Sequence, residues 1–242
     1  MIDNFFEVVG LPGLSMQGFG PLLLKGTWMT IKLSLLSLVV SVILGLIGAS
    51  AKLSSSGIAR LPAQMYTTLI RGVPDLVLML LIFYSLQTWL TSLTQSLGWN
   101  YIEIDPFAAG VITLGFIYGA YFTETFRGAM LSVPKGQREA AVAYALSRSQ
   151  RFFLITFPQM MRFALPGISN NWLVLLKATA LVSIIGLADL VKAAQDAGKS
   201  TFQLFYFLVL AALIYLLITT LSNIVLRRLA RKYSAGSREA LQ

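Results

Sequence analysis

Lys177 is the residue whose type and position point most clearly to chemistry. It lies near the centre of a long apolar stretch, where a lysine in lipid costs about 2.5 to 3.5 kcal/mol. A cation at that depth needs a fixed acidic partner or a hydrated cavity in which it can bind an anionic group. Two interpretations stay open: Lys177 lines a hydrated pathway, or it pairs with Glu124 or snorkels along the helices and braces them.

The residue types that most enzymes use are missing. The chain of 242 residues contains neither Cys nor His, which removes disulfides, cysteine-based metal sites, a histidine base and a cysteine nucleophile. It also lacks the G-x-x-x-x-G-K-S/T loop that binds nucleotide phosphates. We therefore expect no enzymatic activity, no bound cofactor and no metal on this chain.

The composition predicts an all-α integral membrane protein. Hydrophobic residues make up 56% of the chain and charged residues only 12%, against about 25% charged residues in an ordinary soluble domain. In lipid a spanning segment must satisfy its own backbone hydrogen bonds, as a helix does. Five apolar stretches are long enough to span: residues 29–51, 73–93, 107–126, 165–190 and 202–226. We expect an outer N-terminal segment (1–27), a transmembrane domain (28–232) and a cytoplasmic tail (233–242).

The distribution of basic residues predicts the orientation. Of the 19 Lys and Arg residues, fourteen fall between the first and second spans, between the third and fourth, or after the fifth. Because basic loops stay in the cytoplasm, we expect the N-terminus outside and the C-terminus inside. Contact with the lipid bilayer, through its anionic headgroups, accounts for the net charge of +9, and we expect no binding to nucleic acid.

Three carboxylates lie at the ends of the predicted spans. Asp75 and Glu124 are expected at the inner interface, each paired with Arg71 or Arg127. For these two, the sequence favours a structural role. For Asp189, at the outer end of the fourth span, a functional role and a solvated cap of the following loop stay equally open.

The longest cytoplasmic loop, at about residues 129–163, predicts a helix, a turn and a second helix. Its first part, EAAVAYAL, combines good helix formers with alanines, whose small side chains let another surface approach closely. Ser147 and Gln150 have the spacing of a capping box for the second helix, which we expect Pro158 to end. The alternative is an alanine-rich connector that only joins two spans.

The stretch EAAVAYALSRSQRFFLITFP resembles the EAA motif of bacterial ABC importer permeases. Five residues match that motif with its spacing intact: Glu139, Ala140, Ala141, Ile155 and Pro158. Ala145 stands where the family has Gly, and Phe157 where it has Leu. Because Ala tolerates a positive φ poorly, we expect a softer turn or one shifted toward Ser147. The resemblance implies that the five matching residues and Ala145 couple the chain to an ATPase.

The resemblance extends over nearly the whole chain. The segments YTTLIRGVPDLVLMLLIFY, GAYFTETFRGAMLSVPKGQREAA and LPGISNNWLVLLKATALVSIIGL are similar to signature regions of polar amino acid permeases, in particular the histidine/lysine/arginine/ornithine transport family. Related permeases often carry Lys-Asp-Thr where this chain has Lys177, Ala178 and Thr179. We assign Lys177, as a cation at mid-span, and Thr179, which matches that pattern, to a substrate pathway.

The same likeness implies the setting in which the chain works. It would be a permease subunit in a bacterial inner membrane, with its N-terminal segment in the periplasm. Its partners would be a second permease subunit, two cytoplasmic ATPase subunits that bind ATP and Mg, and a periplasmic amino-acid-binding protein. Its substrates would be polar, basic amino acids.

Two other functions stay open at the level of the sequence. A secondary amino acid carrier would need a recognisable repeat with helix breaks in both halves, whereas five spans do not divide evenly and no repeat is visible. A structural membrane subunit is the other candidate. Transport that requires ATP and a separate binding protein distinguishes an importer from both.

Overall fold

The computed structural model describes residues 18–234, and all regular secondary structure within them is helical. Five helices are long and apolar enough to cross a membrane. These are α1 (Gly20–Leu53), α3 (Asp75–Ser96), α4 (Pro106–Ser132), α6 (Arg148–Ile185) and α8 (Leu204–Ser234). Three shorter helices lie between them: α2 (Gly57–Gly72), α5 (Lys135–Ala143) and α7 (Leu190–Thr201). The predicted all-α membrane fold with five spans is confirmed.

The first span begins earlier than predicted. α1 starts at Gly20 rather than at residue 29, because Pro21 occupies the first turn, where its missing N–H costs no hydrogen bond. Residues 20–27 of the expected N-terminal segment are therefore helical. The expectations for residues 1–17 and for the end of the tail, 235–242, fall outside the described part of the chain.

The fourth span belongs to a longer helix than predicted. α6 starts at Arg148, within the loop, and passes through a π-helical turn at Arg151–Thr156. It then continues as an α-helix and tightens to a 3₁₀ helix at Thr179–Ile185. Gly186, with a φ of 98°, ends it in the left-handed conformation, so the span stops short of residue 190.

The prediction that Pro158 ends a helix is wrong. Pro158 lies in the first turn after the π-helical segment, and the helix continues beyond it. In that segment the Phe157 N–H donates to the Phe152 carbonyl, five residues back. A proline ring normally meets the carbonyl four residues before it, and the wider π turn relieves this contact.

α4 forms the centre of the bundle. It packs closely along α1 through glycines: a Cβ on Gly45 would lie 2.5 Å from the Phe122 Cβ, and one on Gly115 would lie 2.5 Å from a Val40 methyl carbon. Small residues let the two backbones approach, as membrane helices require for tight packing. By contrast, most residues of α3 and α8 are exposed.

α2 and α7 are not among the predicted helices, because each is amphipathic and neither forms a long apolar run. α2 buries Ala63, Thr67 and Ile70 against the bundle and leaves Ile58 and Leu69 exposed. α7 packs a row of small residues against α1 and α8. A sequence search for membrane spans detects continuous hydrophobicity, so it passes over helices of this kind.

Candidate functional site

The loop between the third and fourth spans folds as the predicted helical hairpin. Its first arm, α5, begins at Lys135, after Pro134, so Glu139 lies beyond the first turn rather than at the helix start. Glu139 and Ala140 are exposed, whereas Ala141 is buried. The exposed pair offers a carboxylate next to a side chain small enough for close approach by another surface.

The turn of the hairpin lies at Ala145, and the expectation that it shifts toward Ser147 is wrong. Ala145 adopts a φ of 53°, the left-handed conformation that favours glycine. Its N–H donates to the Val142 carbonyl at 2.9 Å, and the Leu146 N–H donates to the Ala141 carbonyl at 3.1 Å. These two bonds form a Schellman motif, which holds a non-glycine residue in a strained conformation.

The second arm starts with the predicted capping box. The Gln150 N–H donates to Ser147 Oγ at 3.3 Å, and the Ser147 N–H donates to Gln150 Oε1 at 2.9 Å. The remaining motif residues, Ile155 and Pro158, lie half-buried on this arm. The motif therefore covers both arms and the turn of one hairpin rather than a single contact point.

Basic side chains gather on the surface of the hairpin. Arg138, Arg148 and Arg151 line a cavity of about 220 Å³, and Arg138, Arg151 and Glu139 line its neighbour together with Lys135. Within residues 18–234, Glu139 makes no ion pair. Its carboxylate is therefore available to a partner.

Lys177 is exposed and lines a cavity of about 260 Å³ between α6, α7 and α8, together with Tyr215 and Val191. It has no ion pair among the described residues. The alternative in which Lys177 pairs with Glu124 is not observed, because Glu124 pairs elsewhere. The geometry leaves the ammonium group free to meet a solute.

Thr179 lies close to this cavity but does not open into it. Its side chain is fully buried, and its hydroxyl donates to the Leu176 carbonyl at 2.7 Å. The same hydroxyl lies 3.3 Å from the Tyr215 hydroxyl, which lines the cavity. Thr179 therefore positions Tyr215, a residue that no sequence pattern had singled out.

Glu124, in the C-terminal half of α4, joins three helices. It pairs with Arg127 at 3.5 Å, one of the two partners expected. It also forms an ion pair with Lys52 of α1, whose ammonium group donates to the Thr67 hydroxyl of α2 at 2.6 Å. The Lys52 contact was not predicted, because only the packing of α1 on α4 brings the two residues together.

Asp75 has a different partner from the one expected. Its Oδ2 accepts a hydrogen bond from the Tyr118 hydroxyl of α4 at 2.9 Å, and it forms no ion pair with Arg71. The Arg71 guanidinium instead lies over the Tyr121 ring, 5.5 Å from its centroid. Arg71, Asp75 and the two tyrosines thus form one polar group between α2, α3 and α4.

Asp189 caps α7, the second of its two alternatives, but it is buried rather than solvated. Its Oδ1 accepts from the Lys192 N–H at 2.9 Å, while no partner for Oδ2 lies within residues 18–234. Burial raises the pKa of Asp189 to about 6, against the opposing effect of the backbone N–H groups of Lys192 and Val191. α1 causes the burial: Thr30 accepts from the Leu190 N–H at 3.1 Å, and Gly26 packs directly on the Asp189 carbonyl.

Comparison with known proteins identifies relatives over nearly the whole chain. Residues 41–235 match the family described as binding-protein-dependent transport system inner membrane component. The histidine/lysine/arginine/ornithine transport system permease protein HisQ of Salmonella typhimurium is 60% identical over 225 residues, which cover 93% of this chain and 99% of the relative. The arginine ABC transporter permease protein ArtQ of Haemophilus influenzae is 39% identical over 220 residues, 91% of this chain and 97% of the relative.

Solved structures share the fold. One chain from a crystal structure of an amino acid ABC transporter with histidines superimposes with a TM-score of 0.76 at 33% identity, covering 90% of this chain and 97% of that one. A chain of the MetNI methionine ABC transporter gives a TM-score of 0.63 at 17% identity, covering 86% of this chain and 96% of that one, a likeness of fold alone.

Proposed function

The chain belongs to the family of binding-protein-dependent transport system inner membrane components, and we propose that it carries basic amino acids as one permease subunit of an ABC importer. Two relatives support this choice of substrates: one is named for histidine, lysine, arginine and ornithine transport, and the other for arginine transport. The observation that carries the proposal is the cytoplasmic hairpin, which presents the EAA motif on two arms and a tight turn. ATP and Mg bind to separate ATPase subunits, because this chain has no phosphate loop.

The assembly contains a second permease subunit, two cytoplasmic ATPase subunits and a periplasmic amino-acid-binding protein. The N-terminus faces the periplasm and the C-terminus the cytoplasm, in accord with the basic residues that follow the fifth span. The exposed faces of α3 and α8 leave ample surface for the second permease subunit.

The hairpin transmits the motion of the ATPase to the spans. α5 docks in a cleft of the ATPase, where Glu139 pairs with a basic residue of that subunit. Its exposure and the absence of an ion pair within the described residues support this role. A hydrogen bond of 3.3 Å between the Gln137 and Gln159 side chains ties α5 to α6, so movement of the hairpin reaches the fourth span directly.

Lys177 contacts the amino acid as it crosses the membrane. Its ammonium group opens into the cavity between α6, α7 and α8, where it can receive the carboxylate that every transported amino acid carries. Thr179 contributes through Tyr215, whose hydroxyl it holds beside the cavity. Recognition of the basic side chain then falls to other residues.

Reconstitution tests the function directly. The chain is co-expressed with its partner subunits, purified and placed in vesicles, and uptake of labelled arginine is measured. We expect uptake only when ATP is enclosed and the binding protein is added outside. Uptake driven by a proton or sodium gradient without ATP would contradict the importer, and the absence of uptake under every condition would leave a structural role.

A further inference from the structure

The backbone is interrupted between α2 and α3. α2 ends at Gly72, and Val73 and Pro74 are extended, with φ and ψ of −114° and 141° and of −57° and 136°. α3 then begins at Asp75. Such a break leaves the last carbonyls of one helix and the first N–H groups of the next without partners inside the helices.

The break lies within the depth of the hydrocarbon core. Asp75 is held by the Tyr118 hydroxyl, and Tyr118 lies roughly 18 Å from one end of α4 and 21 Å from the other at 1.5 Å per residue. The core is about 30 Å thick, so wherever α4 spans it, this point lies inside. The Arg71 guanidinium lies over the ring of Tyr121, which is about one helical turn beyond Tyr118 toward the C-terminal end of α4.

This face of the subunit is open. Arg71, Gly72 and Pro74 are exposed, Asp75 is half-buried, and nothing lies within 4 Å of a Cβ built on Gly72. Non-helical backbone at this depth is tolerated only where protein buries it or where it lines a water-filled cavity. Ionisable side chains follow the same rule, so the face is not turned to lipid.

We propose that Arg71, Asp75 and the break from Gly72 to Pro74 line the hydrated pathway through which the amino acid passes. The inference rests on the proposed function and adds a site to it. A cation and a carboxylate flank the break on one open face. A dry protein interface would have to desolvate both charges, whereas a zwitterionic solute with a basic side chain needs hydrated groups of both signs. At this point of the pathway Asp75 faces the cationic side chain and Arg71 faces the carboxylate, which Lys177 receives at its own separate cavity.

Thiol labelling tests whether water reaches the break. The chain has no cysteine of its own, so Gly72→Cys introduces a single thiol without a steric clash. Ile47→Cys on α1 is the matched control: Ile47 is exposed, and its neighbours Gly45 and Gly48 pack on Phe122 and Thr123 at a similar depth of α4. Each variant is reconstituted with cysteine-free partner subunits and treated with a charged, membrane-impermeant thiosulfonate.

We expect Gly72→Cys to react about tenfold faster than Ile47→Cys or more, because a charged reagent does not enter hydrocarbon. A Gly72→Cys thiol that reacts no faster than Ile47→Cys would overturn the pathway assignment, whether lipid or a partner subunit covers it. The same vesicles are assayed for uptake that depends on ATP and the binding protein. If the vesicles show ATP-dependent uptake while the Gly72→Cys thiol does not react, this inference is contradicted but the proposed function is not.

A second variant tests the role of the carboxylate. Asp75→Asn keeps an oxygen that can accept from the Tyr118 hydroxyl and removes the charge. We expect arginine uptake to fall about tenfold, the effect of one charge-assisted hydrogen bond, and histidine uptake at pH 8, where its side chain is neutral, to fall less. Glu103→Gln, in the loop between α3 and α4, is the control for the loss of a charge, and it should change neither arginine uptake nor histidine uptake. Equal losses for both amino acids, or no loss, would overturn the role of Asp75.

Discussion

Lys177 illustrates how an uncompensated charge becomes a functional candidate. We predict that Lys177→Met, which keeps the length and removes the charge, abolishes or sharply lowers amino acid uptake while assembly with the ATPase is unchanged. The reason is that the open cavity beside Lys177 contains no carboxylate among its lining residues. Uptake and co-purification are the two measurements, and Lys192→Met on the exposed face of α7 is the control.

The two alternatives for Lys177 give different results. Normal uptake in a correctly assembled Lys177→Met complex would reject the pathway role. Loss of assembly would instead favour the bracing role, in which the lysine stem packs between helices.

A charge reversal at Glu139 tests the role of the hairpin. We predict that Glu139→Lys weakens the complex with the ATPase or removes transport-coupled ATP hydrolysis, while the subunit still inserts, because the change reverses the charge at the docking contact. Co-purification and ATP hydrolysis stimulated by the loaded binding protein measure the effect. Glu103→Lys, in the loop between α3 and α4, is the control, and unchanged coupling in Glu139→Lys would count against docking.

Asp189 makes the stability of the subunit depend on pH. Its pKa rises from 3.8 to about 6 on folding, so the folded chain binds this proton more tightly than the unfolded chain does. The resulting stability is fully present below pH 3.8 and is lost as the pH rises through 6. The full effect is about 3 kcal/mol, at 1.36 kcal/mol for each pKa unit.

We therefore predict that Asp189→Asn, which keeps the helix cap, gains stability relative to the native chain as the pH rises from 4 to 7. Thermal unfolding of the detergent-solubilised protein at a series of pH values measures the difference. Asp196→Asn, an exposed carboxylate on the same helix, should show little dependence on pH. A constant difference between Asp189→Asn and the native chain would contradict the assigned shift.

At the scale of the element, the hairpin turn carries a strain that its sequence did not reveal. Ala145 adopts a φ of 53°, which costs a residue with a Cβ about 1 to 2 kcal/mol. We predict that Ala145→Gly stabilises the hairpin and slows its amide hydrogen exchange about fivefold, the factor that corresponds to 1 kcal/mol. Ala143→Gly, at the last residue of α5, should act in the opposite direction. Faster exchange in Ala145→Gly would contradict the strain.

The helix boundaries show where local sequence rules stop. Ser147 and Gln150 were sufficient to predict the start of α6, because a capping box involves only residues three apart. Pro158 led to the wrong end, since a proline stops an α-helix but fits after a π turn. Which of these outcomes occurs depends on what packs against the segment, and α5 packs against this π turn.

At the scale of the whole molecule, orientation follows from charge and has a direct test. We predict that Asn100→Cys reacts with an impermeant thiol reagent from the periplasm and that Ser149→Cys reacts only from the cytoplasm, because basic loops stay inside. The absence of native cysteine makes each label specific. Labelling of Ser149→Cys but not of Asn100→Cys from the periplasm would invert the orientation, and the importer would fail with it.

The features that depend on composition and short spacing could be predicted from the amino-acid sequence. Continuous hydrophobicity specified five spanning helices, and the motif and capping residues specified the hairpin, because neighbours in the chain decide both. The environment of the charged groups, by contrast, depends on how the helices pack. Lys52 and Glu124 are 72 residues apart, and Asp75 and Tyr118 are 43 apart, so no local pattern pairs them. Asp189 is buried because α1 crosses the start of α7, and burial and pairing of this kind arise only from helices that pack across the fold.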